Sequence, residues 1–263
     1  MSLALPTFDD VYLENAPLRE VICQVRFPTV LSISAREPAE LQELIRDQLP
    51  LYEFERGVAL EISPGKIEGA LQSTPPIYRF RTSGRETTLS VSQDFFAINT
   101  TAYRHWDDFL HILEMSYQAV RKVYRLSYAT RIGLRYINFL TRENTASASF
   151  EDLIKVIQPE LRGMLQAAII SNPENLPVFV HHVRIPNDEG ILSLNVSLIR
   201  EKDIPEAQIV LDFDQYIEGD ALPLDDLLPR YTRFNRLIYN AFRWSIPESR
   251  IAVFGPRQKD ISA

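Results

Sequence analysis

Two stretches of this sequence carry an apolar stripe at helical spacing, long enough to fix an amphipathic helix whatever the rest of the chain does. Trp106, Phe109, Leu110, Leu113, Tyr117, Val120 and Tyr124 form the first, over about residues 105–124. Leu227, Leu228, Tyr231, Phe234, Ile238 and Phe242 form the second, in a helix expected to start near Pro223, a residue suited to a first helical turn. Both stripes need an apolar surface to cover, and both follow runs with the alternation of strands. Asp107-Asp108 and Asp225-Asp226 are read as first-turn charges. Arg121, Lys122 and Arg125 close the first helix, the order a helix dipole favours.

The residues before each stripe are ordered alike. In the first half, Val21, Cys23, Val25 and Phe27 alternate with Glu20, Gln24 and Arg26, which predicts a half-buried strand stopped by Pro28. A helix over 38–49 with Leu41, Leu44, Ile45 and Leu49 follows, ending at Pro50. Strands are expected over 58–62, 66–71, 77–82 and 87–92, with 95–99 extending the last one past a bulge. In the second half a strand over 130–140 leads to a helix from Phe150, capped by Ser149 and ended or interrupted by Pro159, with a further helical piece over 161–170. Strands over 178–185, 191–200 and 208–217 precede the closing helix.

The expectation is therefore α+β, with two pseudo-repeated β-α-β(3–4)-α units over 1–125 and 126–248. Antiparallel sheet would have the long helices packed on one face. Ile251, Val253 and Phe254 of a tail over 249–263 would dock on the body.

Charge and composition narrow the function. The formal net charge is −7, which argues against nucleic acid, whose phosphates call for Lys and Arg. The 9 glycines leave little material for phosphate-cradling loops. The N-terminus shows no leader, and no apolar run reaches the ~20 residues of a membrane helix, so a cytoplasmic protein without membrane contact is expected. The single cysteine, Cys23, lies on an apolar strand face and reads as a packing residue.

No catalytic set stands out. His105 and His111 do not share a helix face, and His181 and His182 point to opposite faces of a strand. Neither pair has the ligand spacing of a metal site, so no metal or cofactor is expected. Nucleophile-elbow, Walker and dinucleotide glycine patterns are missing. Asp212 and Asp214 share a strand face and with Glu20 could assemble a carboxylate site.

The arginines are more suggestive. Arg131 and Arg135 share a face of the strand over 131–138, with Gly133 between them leaving room for another group. Arg79 and Arg81 share a face of an earlier strand, and Arg184 follows His182 in a later one. Such guanidinium groups can converge on a carboxylate, a phosphate or an acidic protein surface. The structural alternative is cross-strand pairing with Glu20, Glu61, Glu68 or Asp212. The reading is a non-enzymatic binding or interaction protein with an arginine-bearing sheet face, taking an anionic small molecule or a protein partner. A carboxylate-dependent hydrolase or transferase is the alternative, and a nucleic-acid-binding module comes third.

Two motifs also carry a resemblance. Asn15-Ala16-Pro17-Leu18-Arg19-Glu20-Val21 and Arg131-Ile132-Gly133-Leu134-Arg135-Tyr136-Ile137-Asn138 resemble the opening and central signatures of a sporadically distributed bacterial family of uncharacterised proteins of about this length. The resemblance implies a bacterial, cytoplasmic, single-chain protein. It implies no activity.

Overall fold

The computed structural model describes residues 4–55, 58–61, 70–73, 75–200 and 206–258. From the N-terminus come β1 (Val11–Leu13), β2 (Leu18–Arg26), short helices α1 (Leu31–Ala35) and α2 (Ala39–Ile45), and strands β3 (Leu51–Glu55), β4 (Val58–Glu61), β5 (Ala70–Ser73), β6 (Ile77–Arg81), β7 (Thr87–Ser92) and β8 (Phe95–Thr100). The long helix α3 (Trp106–Tyr124) precedes β9 (Tyr128–Leu140), α4 (Phe150–Ile154) and α5 (Pro159–Arg162). Strands β10 (Val180–Asn187), β11 (Gly190–Ile199) and β12 (Gln208–Pro223) lead to the second long helix, α6 (Leu227–Ser245), then α7 (Glu248–Ile251) and β13 (Pro256–Gln258). Nine strands share one sheet in the order β10-β11-β12-β9-β2-β8-β7-β6-β3, while β1-β13 and β4-β5 are separate pairs.

The alternation read in the sequence is the sheet's inward face. Val21, Cys23 and Val25 of β2 have no exposed surface, and Leu89, Val91, Phe96 and Ile98 continue that layer on β7 and β8. Each such side chain contributes about 1.5–3 kcal/mol by leaving water.

Two compact units divide the chain, and they do not follow its order. The central unit is Ile22–Gly133 with Glu218–Leu228; the flanking unit is the chain up to Val21, Leu134–Ile217 and the chain from Pro229 on. The divisions fall inside β2, β9, β12 and α6.

In the central unit α3 buries Phe109, Leu113, Tyr117 and Val120, with the Tyr117 and Phe96 rings stacked at 6.3 Å. Asp107 and Asp108 do occupy its first turn. Asp225 has a different role from the one expected. It lies in a turn before α6 and accepts from Arg121 at 2.6 Å, while the Leu224 carbonyl accepts from the Tyr117 hydroxyl at 2.8 Å. Pro223 ends β12 rather than opening the helix, because β12 runs six residues past Ile217. Residues 95–100 form a strand of their own, β8, turned back on β7 with Ser92 facing Phe95. Strand β3 was not anticipated; five residues directly after Pro50 were too few to show a period, and pairing with β6 is what orders them. The expected Pro64-Gly65 turn and the start of the 66–71 strand lie outside the described residues.

In the flanking unit α6 buries Tyr231, Phe234, Ile238 and Phe242, and Phe242 meets Phe213 of β12 edge-on at 6.4 Å. Ser149 caps α4 by accepting from the Asp152 amide at 3.2 Å. Pro159 opens α5 at its first turn instead of ending a longer helix. The tail docks through Ile251 and Phe254, 6% and 0% exposed, and β13 pairs antiparallel with β1. Gly190 closes the β10–β11 turn at φ +131, where a Cβ would stand 2.2 Å from the Tyr216 carbonyl oxygen, so only glycine fits.

Candidate functional site

Four of the five residues singled out in the sequence lie in the central unit. The space beside Gly133 is filled by Arg131 itself: a Cβ on Gly133 would sit 2.5 Å from Arg131 Nη1. Gly133 is therefore the floor on which that guanidinium rests. From there Arg131 donates to Gln24 Oε1 at 3.2 Å and lies 3.5 Å from Glu218 Oε1. Arg79 and Arg81 of β6 project to β3, where Arg79 pairs with Glu55 and Arg81 with Glu53 at 3.2 Å. Their partners are on the strand the sequence did not reveal. The expected acid Glu68 lies outside the described residues.

Arg135 belongs to the flanking unit. It forks onto one carboxylate, with Nε to Asp212 Oδ1 and Nη2 to Asp212 Oδ2, both at 2.7 Å. Asp212 is one of the cross-strand acids anticipated for this arginine. These hydrogen bonds raise the guanidinium pKa above its ordinary value, and the charges of Asp214 and Glu20 act in the same direction. The structure thus gathers Glu20, Asp212 and Asp214 around Arg135. One cation among three carboxylates is a poor receptor for a further anion.

The register carries this polar layer outward. Asp212 faces Asn195, which faces His182, and Asp214 faces Ser193, which faces Arg184. His182 Nε2 is 2.8 Å from Ser193 Oγ. At the edge the balance changes. β10 ends the sheet; His182, Arg184 and Pro186 are exposed, and Arg184 has no ion-pair or hydrogen-bond partner among the described residues. Val180 is 59% and Val183 38% exposed, and just before them Val178 is 75% exposed. The turn at Gly163 lies against His181 and Phe179, which brings the exposed Met164 to the same end of β10. The sequence reads 178–185 as a strand, but its place at the sheet's edge depends on long-range pairing that no local pattern encodes.

Other sites are weaker. Cys23 is buried and burial pushes its thiol well above the ordinary value, so it is no nucleophile. Among the described residues, no three His, Cys, Asp or Glu side chains are grouped to hold a metal ion. No described helix is long and apolar enough to cross a membrane. A scan against protein-family models and a search of curated proteins both return no match.

Proposed function

We propose that this chain is a non-enzymatic binding protein that recognises an acidic, extended segment of a protein partner along β10. The observation that carries the reading is the edge itself: an eight-residue strand at the end of the sheet, with apolar Val180 and Val183 and the cation Arg184, unpaired among the described residues. An added strand gains main-chain hydrogen bonds from such an edge, and alternate side chains give specificity. Charge and proline also blunt edges against unwanted pairing, and Arg184 does this against a second copy. In any antiparallel self-pairing centred on β10, His182 and Arg184 meet His182, Arg184, Val180 or Pro186, never an acid. An acidic segment turns that repulsion into attraction.

Peptides selected by display on the purified chain test the reading. Selected sequences should alternate acidic and apolar residues, and Arg184→Glu should weaken them by roughly 5-fold or more in fluorescence anisotropy, with a loss that shrinks at high salt. Peptides that bind the Arg184→Glu and Val180→Asp variants as well as the wild type would overturn it. Arg135→Ala tests whether the inner arginine face takes part.

The gathering of Glu20, Asp212 and Asp214 favours a second reading, a carboxylate-dependent hydrolase or transferase. Turnover of an ester or phosphoester panel that Asp214→Asn abolishes would establish it, and no turnover with any of the panel would remove it.

The reading keeps the chain in the cytoplasm, checked by cell fractionation, and within the bacterial family its two motifs resemble. It also keeps an internal duplication with both long helices on one sheet face. Support comes from two helices of 19 residues, each preceded by antiparallel strands. An experimental structure in which 1–125 and 126–248 do not superpose in connection order would refute the duplication.

A further inference from the structure

The flanking unit also holds a cavity of about 410 Å³, away from the β10 edge, between the N-terminal segment, the end of α6, α7 and β13. Thr7, Phe8, Asp9, Val11, Arg243, Glu248, Ile251 and Pro256 line it, of which Phe8, Val11, Ile251 and Pro256 supply apolar wall. The N-terminal segment is held by α6: the Tyr239 hydroxyl donates to the Asp9 carbonyl at 2.7 Å and accepts from the Val11 amide at 3.1 Å, while Arg236 donates to the Phe8 carbonyl. The cavity therefore has a fixed wall on that side.

Arg243 is the unusual member. Its side chain is only 8% exposed, with the guanidinium over the Phe8 ring at 5.0 Å, yet its hydrogen bonding is incomplete. Nη1 donates to the Tyr239 hydroxyl at 3.2 Å, Nη2 reaches Glu248 Oε2 only at 3.4 Å, and Nε is buried with no partner among the described residues. Nε and Nη2 form one edge of the planar guanidinium. In Arg135 that same edge forks onto Asp212 with both bonds at 2.7 Å. In Arg243 that edge is unsatisfied and covered, and the anion paired with it among the described residues, Glu248, is a side chain 75% exposed that can move aside. A buried guanidinium left this way forgoes the charge-assisted bonds that would offset its desolvation.

The lining also fixes what else a ligand must carry. Asp9 and Glu248 bring two carboxylates to the cavity, so a simple anion on Arg243 would face net repulsion. A molecule with a carboxylate for the Arg243 fork and an ammonium group for Glu248 satisfies both signs. We infer that this cavity binds a small zwitterion of the free amino-acid class, its carboxylate on Arg243, its ammonium on Glu248 and its side chain against Phe8, Val11, Ile251 and Pro256. Binding would displace Glu248 from its long contact with Nη2 and give the fork a full partner.

Calorimetry and thermal shift with the twenty common L-amino acids, each up to about 10 mM, test this on the whole chain. At least one with an apolar side chain should bind and raise the melting temperature. The matching amine without the carboxylate and the matching acid without the ammonium should each bind at least ~10-fold more weakly. Arg243 also ties Tyr239, so Arg243→Lys can perturb folding; Glu248→Gln takes the anion away from a buried guanidinium and should lower the melting temperature slightly, leave the chain folded and weaken binding ~10-fold. If no amino acid binds, or if Glu248→Gln and Arg243→Lys both fold and bind as the wild type does, the inference is wrong.

Discussion

Breaking the Arg135–Asp212 fork should cost very different amounts depending on which partner is removed. The Arg135 side chain is 46% exposed and Asp212 only 12%. In Asp212→Asn the guanidinium is left half in water and recovers much of its hydration, so the loss is about 1 kcal/mol, that of a partly exposed pair. In Arg135→Met a carboxylate is left in a nearly buried position with both oxygens deprived of their donors, beside the like charges of Asp214 and Glu20. That places the cost near 3 kcal/mol, most of it the desolvation of the orphaned anion. Arg135→Met with Asp212→Asn should then be less destabilised than Arg135→Met alone, since the second change removes the stranded charge. Urea unfolding of the four proteins gives the cycle directly. If Asp212→Asn costs as much as Arg135→Met, or the double variant is the worst of the three, the burial argument fails.

Other expectations follow from the same contacts. Gly133→Ala places a methyl against Arg131 Nη1 and should cost about 1 kcal/mol by pushing the guanidinium off Gln24, with no comparable cost in an Arg131→Met background; urea unfolding measures both. Phe254→Ala should lose roughly 3–5 kcal/mol, since this tail residue is wholly buried; a loss under ~1 kcal/mol would mean the tail is not part of the core. The Arg250 guanidinium, 2.6 Å from Asp152, holds that carboxyl below its usual value. Its contribution is present above the unfolded value of about 3.9 and is lost as pH falls through the lower folded one, and an NMR titration of Arg250→Met should show the shift reduced, with the Ala148 amide and Lys155 still acting on it. Burial pushes the Tyr124 phenol up to about 12, with the charges of Tyr78 and Glu40 adding to it. Its stabilisation should be full below pH ~10 and lost between there and the folded value, which ultraviolet titration detects as a late-ionising tyrosine that is missing from Tyr124→Phe.

Local periodicity was enough for the parts of the fold that local physics decides. The strand containing Val21, Cys23 and Val25, the helix 106–124 and the Ser149 cap are all written in spacing or residue type. The misreadings are where long-range pairing overrides the local signal. Pro223 suits a helix start, but pairing carries β12 through it, and Asp225 finds Arg121 instead of a helix dipole. Leu51–Glu55 is too short to show alternation, yet it supplies the acids for Arg79 and Arg81. Gly133 was read as open space because a sequence cannot show that the neighbouring arginine folds back over it. Arg243 left no trace at all, since one arginine between Phe242 and Trp244 on a helix resembles a solvated position until Phe8 and α7 close over it.

The most direct test of the central claim is hydrogen exchange across the chain, with and without a display-selected acidic peptide. Strand addition predicts new protection concentrated in amides of Val180–Asn187, with β3 at the opposite end of the sheet order unchanged, and loss of that protection in Arg184→Glu. Protection that appears at β3 or on the helices instead, with β10 exchanging as in the free protein, would contradict it.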